Sequence, residues 1–441
     1  MSYRQIVETI AIAAAILAAP ARCQEADVPR DESIRTIPAV IDPDAKAAVA
    51  GINAFSLDLY RRTLAADENH FLSPASVSVA VGLAYRGARG TTATELEKTL
   101  HFGKSPRDYL RANGQLLGTM NFAGPRRELR TANAVWLQDG MPLLPDYEQD
   151  LAAYAKAGLQ RVDFRGDTDA ARLKINGWVA ESTRDKIKDL LQPGDVSDST
   201  RAVLVNAIYW KGGWASAFDK RQTKPEPFKL LDGGQLTAPL MSQRSDFQVM
   251  ERDGAKAIML PYVGNEVEMV VLLPNSAKGL PKLEEKLTAS GLADWLGDLA
   301  KAPQRETILT MPRMHVEWRA DLKELLKAMG APTAFSDDAD FLGIAAFPYP
   351  GEDPRAIGLK IKHVIHKTYL DVDETGSEAA AATAVVMDVI VSGLRRGPPP
   401  PPPFIFRADK PFLFLLRDRR TGLILFMGRY VKPQAETGAE G

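Results

Sequence analysis

Cysteine occurs once in 441 residues, at position 23, which excludes any internal disulfide and any structural cysteine–metal site. Stability must come from packing alone. Histidine is almost as scarce, with five residues: His70, His101, His315, His363 and His366. None stands in an H-E-x-x-H arrangement, no serine occupies a G-x-S-x-G elbow, and no G-x-x-x-x-G-K-[ST] loop is present to cradle phosphate. His363 and His366 are three apart, a spacing that places them on opposite faces of a strand and argues against a shared metal ion. No catalytic constellation, metal centre or cofactor site is expected. Charge of one sign is also missing: 55 Lys and Arg against 56 Asp and Glu give a net charge of -1, which argues against nucleic acid as a partner. The apolar run Ile10 to Ala19 is too short to cross a bilayer.

That short run reads instead as part of an export signal, Met1 to Ala21. Arg4 gives the positive start and Ala19-Pro20-Ala21 an A-x-A cleavage site, although Glu8 departs from the usual pattern. The mature protein is expected to be secreted or periplasmic. Lipid anchoring at Cys23 is the alternative, against which Arg22 breaks the usual lipobox. Residues 22–45, polar with scattered proline, read as a flexible leader, and 434–441 as a disordered tail. Length alone suggests two or three domains. No repeat or linker divides 46–433, however, so this span is expected to be one domain.

The most unusual stretch runs from Asp373 to Arg407: an acidic start, a run of small residues, a β-branched segment, two arginines and then Pro398 to Pro403. Ala379 to Ala382 offer too little apolar area for a core helix, and the stretch lacks the Gly, Ser and charge of a flexible linker. At period two, Ser377, Ala379, Ala381, Thr383, Val385, Met387 and Val389 share an uncharged face. Glu378 and Asp388 both fall on the other face, together with Ala380, Ala382, Ala384, Val386 and Ile390. One face suits burial and the other water. Small side chains at the start would let the segment slide into a crowded sheet, and Gly376 supplies a hinge. An alanine-rich helix is the competing reading on propensity alone. The proline run reads as a stiff polyproline II spacer, or as a ligand for an SH3-like domain.

Glu374-Thr-Gly-Ser-Glu-Ala-Ala-Ala-Ala-Thr383 resembles the hinge of the reactive-centre loop of serpins, the serine-protease-inhibitor family, whose motif is E-x-G-[ST]-E-A-A-A-x-T. The likeness continues in order along the chain. An amphipathic helix from Lys46 to Thr63 is followed by Asn69-His-Phe-Leu-Ser-Pro-Ala-Ser76, where Ser73 caps a helix opened by Pro74. Gly87-Ala88-Arg89-Gly90-Thr91-Thr92 follows, then a strand from Leu129 to Leu137, and a helix from Ile175 to Leu191 ended by Pro193-Gly194. Ala202 to Trp214 is a near-continuous apolar strand resembling L-V-N-A-I-Y-F-K-G-x-W, with Trp210 in place of Phe. Leu260-Pro-Tyr262, Val267 to Pro274, Met311-Pro-Arg313, His366-Lys367, Lys410-Pro-Phe412 and Gly428 to Pro433 complete the match.

The resemblance implies an α+β fold of about nine helices around three β-sheets, with a large central sheet and an exposed, mobile reactive-centre loop over about 374–406. It implies a monomer that inhibits serine endopeptidases, with cysteine endopeptidases as a further target class, and no enzyme activity of its own. The loop hinge would comprise Glu374, Gly376, Ser377, Glu378, Ala379, Ala380, Ala381, Ala382 and Thr383. Ser73, Ser76, Asn206 and His366 would form the polar cluster where the central sheet parts, with Trp214 near the top where the loop enters. Counted from the hinge glutamate, the scissile bond falls at Ile390–Val391, which suits an elastase-like or subtilisin-like protease. The loop is longer than usual, so Arg395 and Arg396 stand as alternatives for a trypsin-like target. A binding or chaperone-like serpin without inhibitory activity is the rival reading; such members carry bulky or charged hinge residues, unlike Ser377 and Ala379 to Ala382.

Overall fold

The computed structural model describes residues 43–64, 67–124, 126–155, 158–349, 352–353, 355–356, 358–377 and 401–433. The expected export signal with Cys23, the tail, the hinge residues Glu378 to Thr383, and the scissile candidates Ile390, Val391, Arg395 and Arg396 lie outside them.

In chain order the first elements are α1 Pro43–Arg62, β1 His70–Leu72, α2 Pro74–Gly87, α3 Gly90–Thr99, α4 Pro106–Thr119, β2 Phe122–Gly124 and β3 Arg127–Gln138. Then follow α5 Pro145–Tyr154, β4 Leu159–Val162, α6 Thr168–Ser182, β5 Ala202–Gly213, β6 Lys224–Lys229, β7 Gln235–Arg252, β8 Ala255–Pro261 and β9 Val267–Pro274. The last are α7 Leu280–Lys286, α8 Ala289–Lys301, β10 Gln304–Pro312, β11 Met314–Asp321, α9 Lys323–Ala328, β12 Val364–Val372, β13 Gly376–Ser377, β14 Phe404–Arg407, β15 Phe412–Asp418 and β16 Ile424–Tyr430. The first helix starts three residues earlier than its apolar spacing indicates. Pro43 presets its first turn and Asp44 pairs with Lys104 and Arg111, so 43–45 belong to the helix and not to the leader.

The central sheet has seven strands in the order β11-β12-β13-β5-β3-β2, with β4 beside β3. A nine-stranded sheet runs β1-β16-β15-β9-β8-β7-β10-β14, with β6 beside β7. The two further sheets expected beside the central one are thus a single hydrogen-bonded network. The long β7 joins them, pairing with β6 through Gln235–Leu240, with β10 through Leu240–Gln248 and with β8 through Gln248–Arg252.

β5 is apolar on both faces because both are covered. Its even positions Leu204, Ile208 and Trp210 enter the main core, which also holds Val77 and Val81 of α2 and Phe414 and Phe426 of the second sheet. Its odd positions Val203, Val205 and Ala207 enter a second core with Ile175 and Val179 of α6. The outer face of the central sheet therefore lies under a helix, and a strand added there would not face water along its middle.

That helix ends at Ser182, short of the expected Leu191. Thr183 Oγ1 donates back to Val179 O at 2.8 Å and accepts from Ile187 N at 3.2 Å, which turns the chain. Asn176 then ties Leu191 down with both amide atoms, at 2.9 and 2.8 Å.

Candidate functional site

β5 and β12 pair directly, and in parallel, only over Leu204–Ile208 and Val364–Thr368. Above Thr368 they diverge. β13 fills the mouth, antiparallel to both, with Gly376 opposite Gly213, and Ser377 opposite Gly212 on one side and Val372 on the other. Two of the expected hinge residues are thus already strand in the central sheet.

Each residue at the mouth has a physical reason for being there. A Cβ on Gly376 would stand 2.0 Å from Gly212 O, and its φ of +154° suits glycine. Asp373 Oδ1 accepts from the backbone of Thr375 at 2.7 Å and of Gly376 at 3.1 Å, closing the turn that feeds β13. Trp214 donates its backbone N–H to Thr375 O and its indole N–H to Asp373 O, both at 2.9 Å. It stacks on Tyr262 at 4.5 Å, and the Tyr262 hydroxyl bonds Ser377 Oγ at 2.6 Å. Burial raises the Tyr262 phenol, so it stays neutral. Trp214 therefore ties the turn that feeds β13 to the end of β5.

Glu374 is 1% exposed and its carboxylate takes hydrogen bonds from Arg313 at 3.0 Å and Thr223 at 2.5 Å. Burial works to raise the carboxyl, and the bonds from Arg313 and Thr223 outweigh it, holding the group below the usual carboxylate range.

Lower in the seam, Ser73, Ser76, Asn206 and His366 converge. His366 and Asn206 are opposite one another across the β5–β12 pairing, and Asn133 of β3 is opposite Asn206. His366 Nε2 accepts from the Ser73 backbone N–H at 3.0 Å, so the ring proton sits on Nδ1 and donates to Asn206 Oδ1 at 2.6 Å. Asn206 Nδ2 donates to Ser76 Oγ at 2.5 Å and Asn133 Oδ1 at 2.7 Å, and Ser76 Oγ donates to Asn133 at 3.1 Å. Ser73 Oγ donates to Leu425 O of β16 at 2.6 Å, tying the row to the second sheet. Burial alone drives the His366 imidazole down to about 3. The seam is a polar row inside an apolar core, closed by one side-chain bond between its two central strands. His363, by contrast, bonds Asp321 at 2.5 Å.

Asn133, Arg313, Thr223 and Tyr262 take part in ways the sequence reading did not assign. Asn133 carried a usable signal, since at period two it shares a face with Leu129, Val135 and Leu137, an amide among core residues. The Arg313–Glu374 pair, by contrast, joins distant segments and leaves no local trace.

Residues 50–433 match the family profile for serpins, described as serine protease inhibitors. Serpin B3 of Homo sapiens is 35% identical over 397 residues, spanning 86% of this chain and 97% of that protein. Iris of Ixodes ricinus is 36% identical over 381 residues, spanning 85% and 96%. The solved structure of human thyroxine-binding globulin with bound thyroxine superposes with a TM-score of 0.76 at 26% identity, covering 89% of this chain and all of that one. The chain belongs to the serpin family.

Proposed function

We propose that this serpin is an irreversible suicide-substrate inhibitor of serine endopeptidases, acting outside the cytoplasm. The target attacks the loop at Ile390–Val391, and the severed segment from Glu378 onward inserts between β5 and β12, carrying the acylated protease with it. The observation that supports this reading most is β13, seated in the mouth of a seam whose lower part is still paired.

Continuing that register downward gives each inserted residue its neighbours. Ala379 comes between Trp210 and Leu370, and Ala381 between Ile208 and Thr368, where small side chains fit a filled core. Thr383 falls between Asn206 and His366, a hydroxyl entering the polar row as their bond breaks. Val385 and Met387 reach the level of a cavity lined by Ala202, Leu204 and Ile361. Insertion makes about a dozen more ladder hydrogen bonds than it breaks, at roughly 1 kcal/mol net each, before chain ordering is subtracted.

The same register favours Ile390 as the scissile residue. β5 ends at Ala202, opposite residue 387, so Ile390 hangs three residues, about 10 Å, below the ladder. A bond after Arg395 or Arg396 would leave a tether of about 25–30 Å, enough slack for a protease to keep its shape.

The test is to mix mature protein separately with elastase, subtilisin, chymotrypsin and trypsin, run denaturing gels and sequence the released carboxy-terminal peptide. The expected outcome is a band of summed mass with elastase or subtilisin, and a new amino terminus at Val391. Cleavage by all four without such a band would overturn the inhibitory reading and favour a binding role, as in the thyroxine complex of a relative.

A further inference from the structure

A cavity of about 820 Å³ opens between the end of α1, the turn from β6 to β7, and α7. Among the described residues none of the seam or its mouth lines it. Its size lies within the roughly 300–1,000 Å³ of ligand pockets. Leu64, Leu231 and Pro281 give it an apolar side, the two leucines packing back against the main core. Asp67, Asp232 and Glu285 give it an exposed acidic side, and Glu284, 3% exposed, adds a buried carboxylate. We propose that the cavity binds a small organic cation, an amine or guanidinium on an apolar body with a hydrogen-bond acceptor beside it. Such binding does not depend on loop insertion.

The charges in the wall are unequally used. Both cations are engaged within the fold. Arg61 Nη2 donates to Glu284 O at 3.2 Å, to Glu285 O at 3.0 Å and to Leu287 O, closing the carboxy-terminal end of α7. Arg429 pairs with the Glu284 carboxylate at 3.3 Å. The side chains of Asp67 and Glu285, by contrast, have no hydrogen bond or ion pair among the described residues, and Asp232 accepts only the Gly234 N–H, at 2.7 Å. Four carboxylates against two guanidiniums leave the lining net negative. Glu284 also takes the Tyr60 hydroxyl at 2.6 Å, yet an ionised carboxylate has about four acceptor positions. Burial pushes its carboxyl up, and Arg429 and Tyr60 offset that only in part, so a further cation would favour the ionised form. Arg61 Nε is buried in the same wall with no hydrogen-bond partner among the described residues, an orphan donor that a ligand acceptor would satisfy.

The two sides of the cavity select together. Exposed carboxylates alone hold a cation weakly, because water and salt screen them. A bare ammonium gains nothing from Leu64, Leu231 and Pro281, and a neutral apolar ligand leaves the carboxylates unpaired. An anion would meet the net negative lining with both arginines already bonded. An organic cation satisfies both sides.

The test is calorimetric titration of full-length mature protein with three probes that differ in charge: benzoyl-arginine amide, the neutral benzoyl-citrulline amide and the anionic benzoyl-glutamic acid amide. The arginine compound should bind one to one, about tenfold or more tighter than the citrulline compound, and more weakly as salt is added. Asp67→Asn and Glu285→Gln should each weaken it by about threefold and the double variant by about tenfold. Both positions are exposed, so the unfolding midpoint without ligand should stay unchanged. Glu148→Gln, an exposed carboxylate of α5 outside the lining, should bind as the natural chain does. No saturable binding of the arginine compound up to about 5 mM would overturn the proposal, as would equal binding of the citrulline compound or full affinity in the double variant. Tightest binding by the glutamic acid compound would overturn it in favour of an anion held by Arg61 and Arg429.

Discussion

His366 Nδ1 donates to Asn206 Oδ1 at 2.6 Å, and this bond crosses the seam along which β5 and β12 would have to part. The other ring nitrogen takes the Ser73 backbone N–H, so the neutral ring satisfies both neighbours. A protonated ring would turn that acceptor into a donor and lose the Ser73 bond.

Acid should therefore loosen the molecule in a defined window. His366 is held down to about 3 in the fold against 6.5 unfolded, so below pH 6.5 the unfolded chain takes a proton that the folded chain refuses. Stability should be complete above pH 6.5 and fall by up to about 1.4 kcal/mol per unit toward pH 3. His70 is lowered to about 4 and adds to the same slope, so the measurement is a difference. Guanidinium midpoints of natural protein and His366→Gln, taken from pH 7 to 4, should show the shallower slope in the variant.

Glu374 and Arg313 should respond unequally to truncation. Glu374 is buried, whereas Arg313 is 38% exposed and can be hydrated. Arg313→Ala should cost about 3 kcal/mol by stranding a buried carboxylate, and Glu374→Ala about 1 kcal/mol. Equal losses in thermal or chemical unfolding would contradict this.

Gly376→Ala should expel β13 from the mouth, since the added Cβ would stand 2.0 Å from Gly212 O. Overpacking of this kind costs about 1–3 kcal/mol. Faster hydrogen exchange at the Trp214 and Phe218 amides, which donate to Thr375 and Glu374, would report the displacement.

Asn133→Leu should destabilise by about 1–3 kcal/mol, although it replaces a polar group in a core with an apolar one. It removes the acceptor shared by Ser76 Oγ and Asn206 Nδ2. A neutral or stabilising effect on the unfolding midpoint would mean the row is not held together as a unit.

How much of this could be read from the chain depends on where each signal lies. β5 declared itself because both of its faces are buried, leaving an uninterrupted apolar run. The start of α2 did so because Ser73 and Pro74 act locally, as cap and first turn. Ser73, Ser76, Asn206 and His366 came from family likeness, and their spatial meeting depends on sheet register, which no local pattern encodes. The early stop of α6 depends on Asn176 reaching Leu191. The single network through β7 rests on three separate partners of one strand that includes Pro239, Arg244 and Asp246, and so lacks a clean alternation.

The central claim is that the loop becomes a strand between β5 and β12, and the crystal structure of the protein cleaved at 390–391 tests it most directly. The expected result is Thr383 lying between Asn206 and His366, with the direct pairing of Leu204–Ile208 with Val364–Thr368 gone. A cleaved protein in which that pairing and the His366–Asn206 bond persist would contradict it.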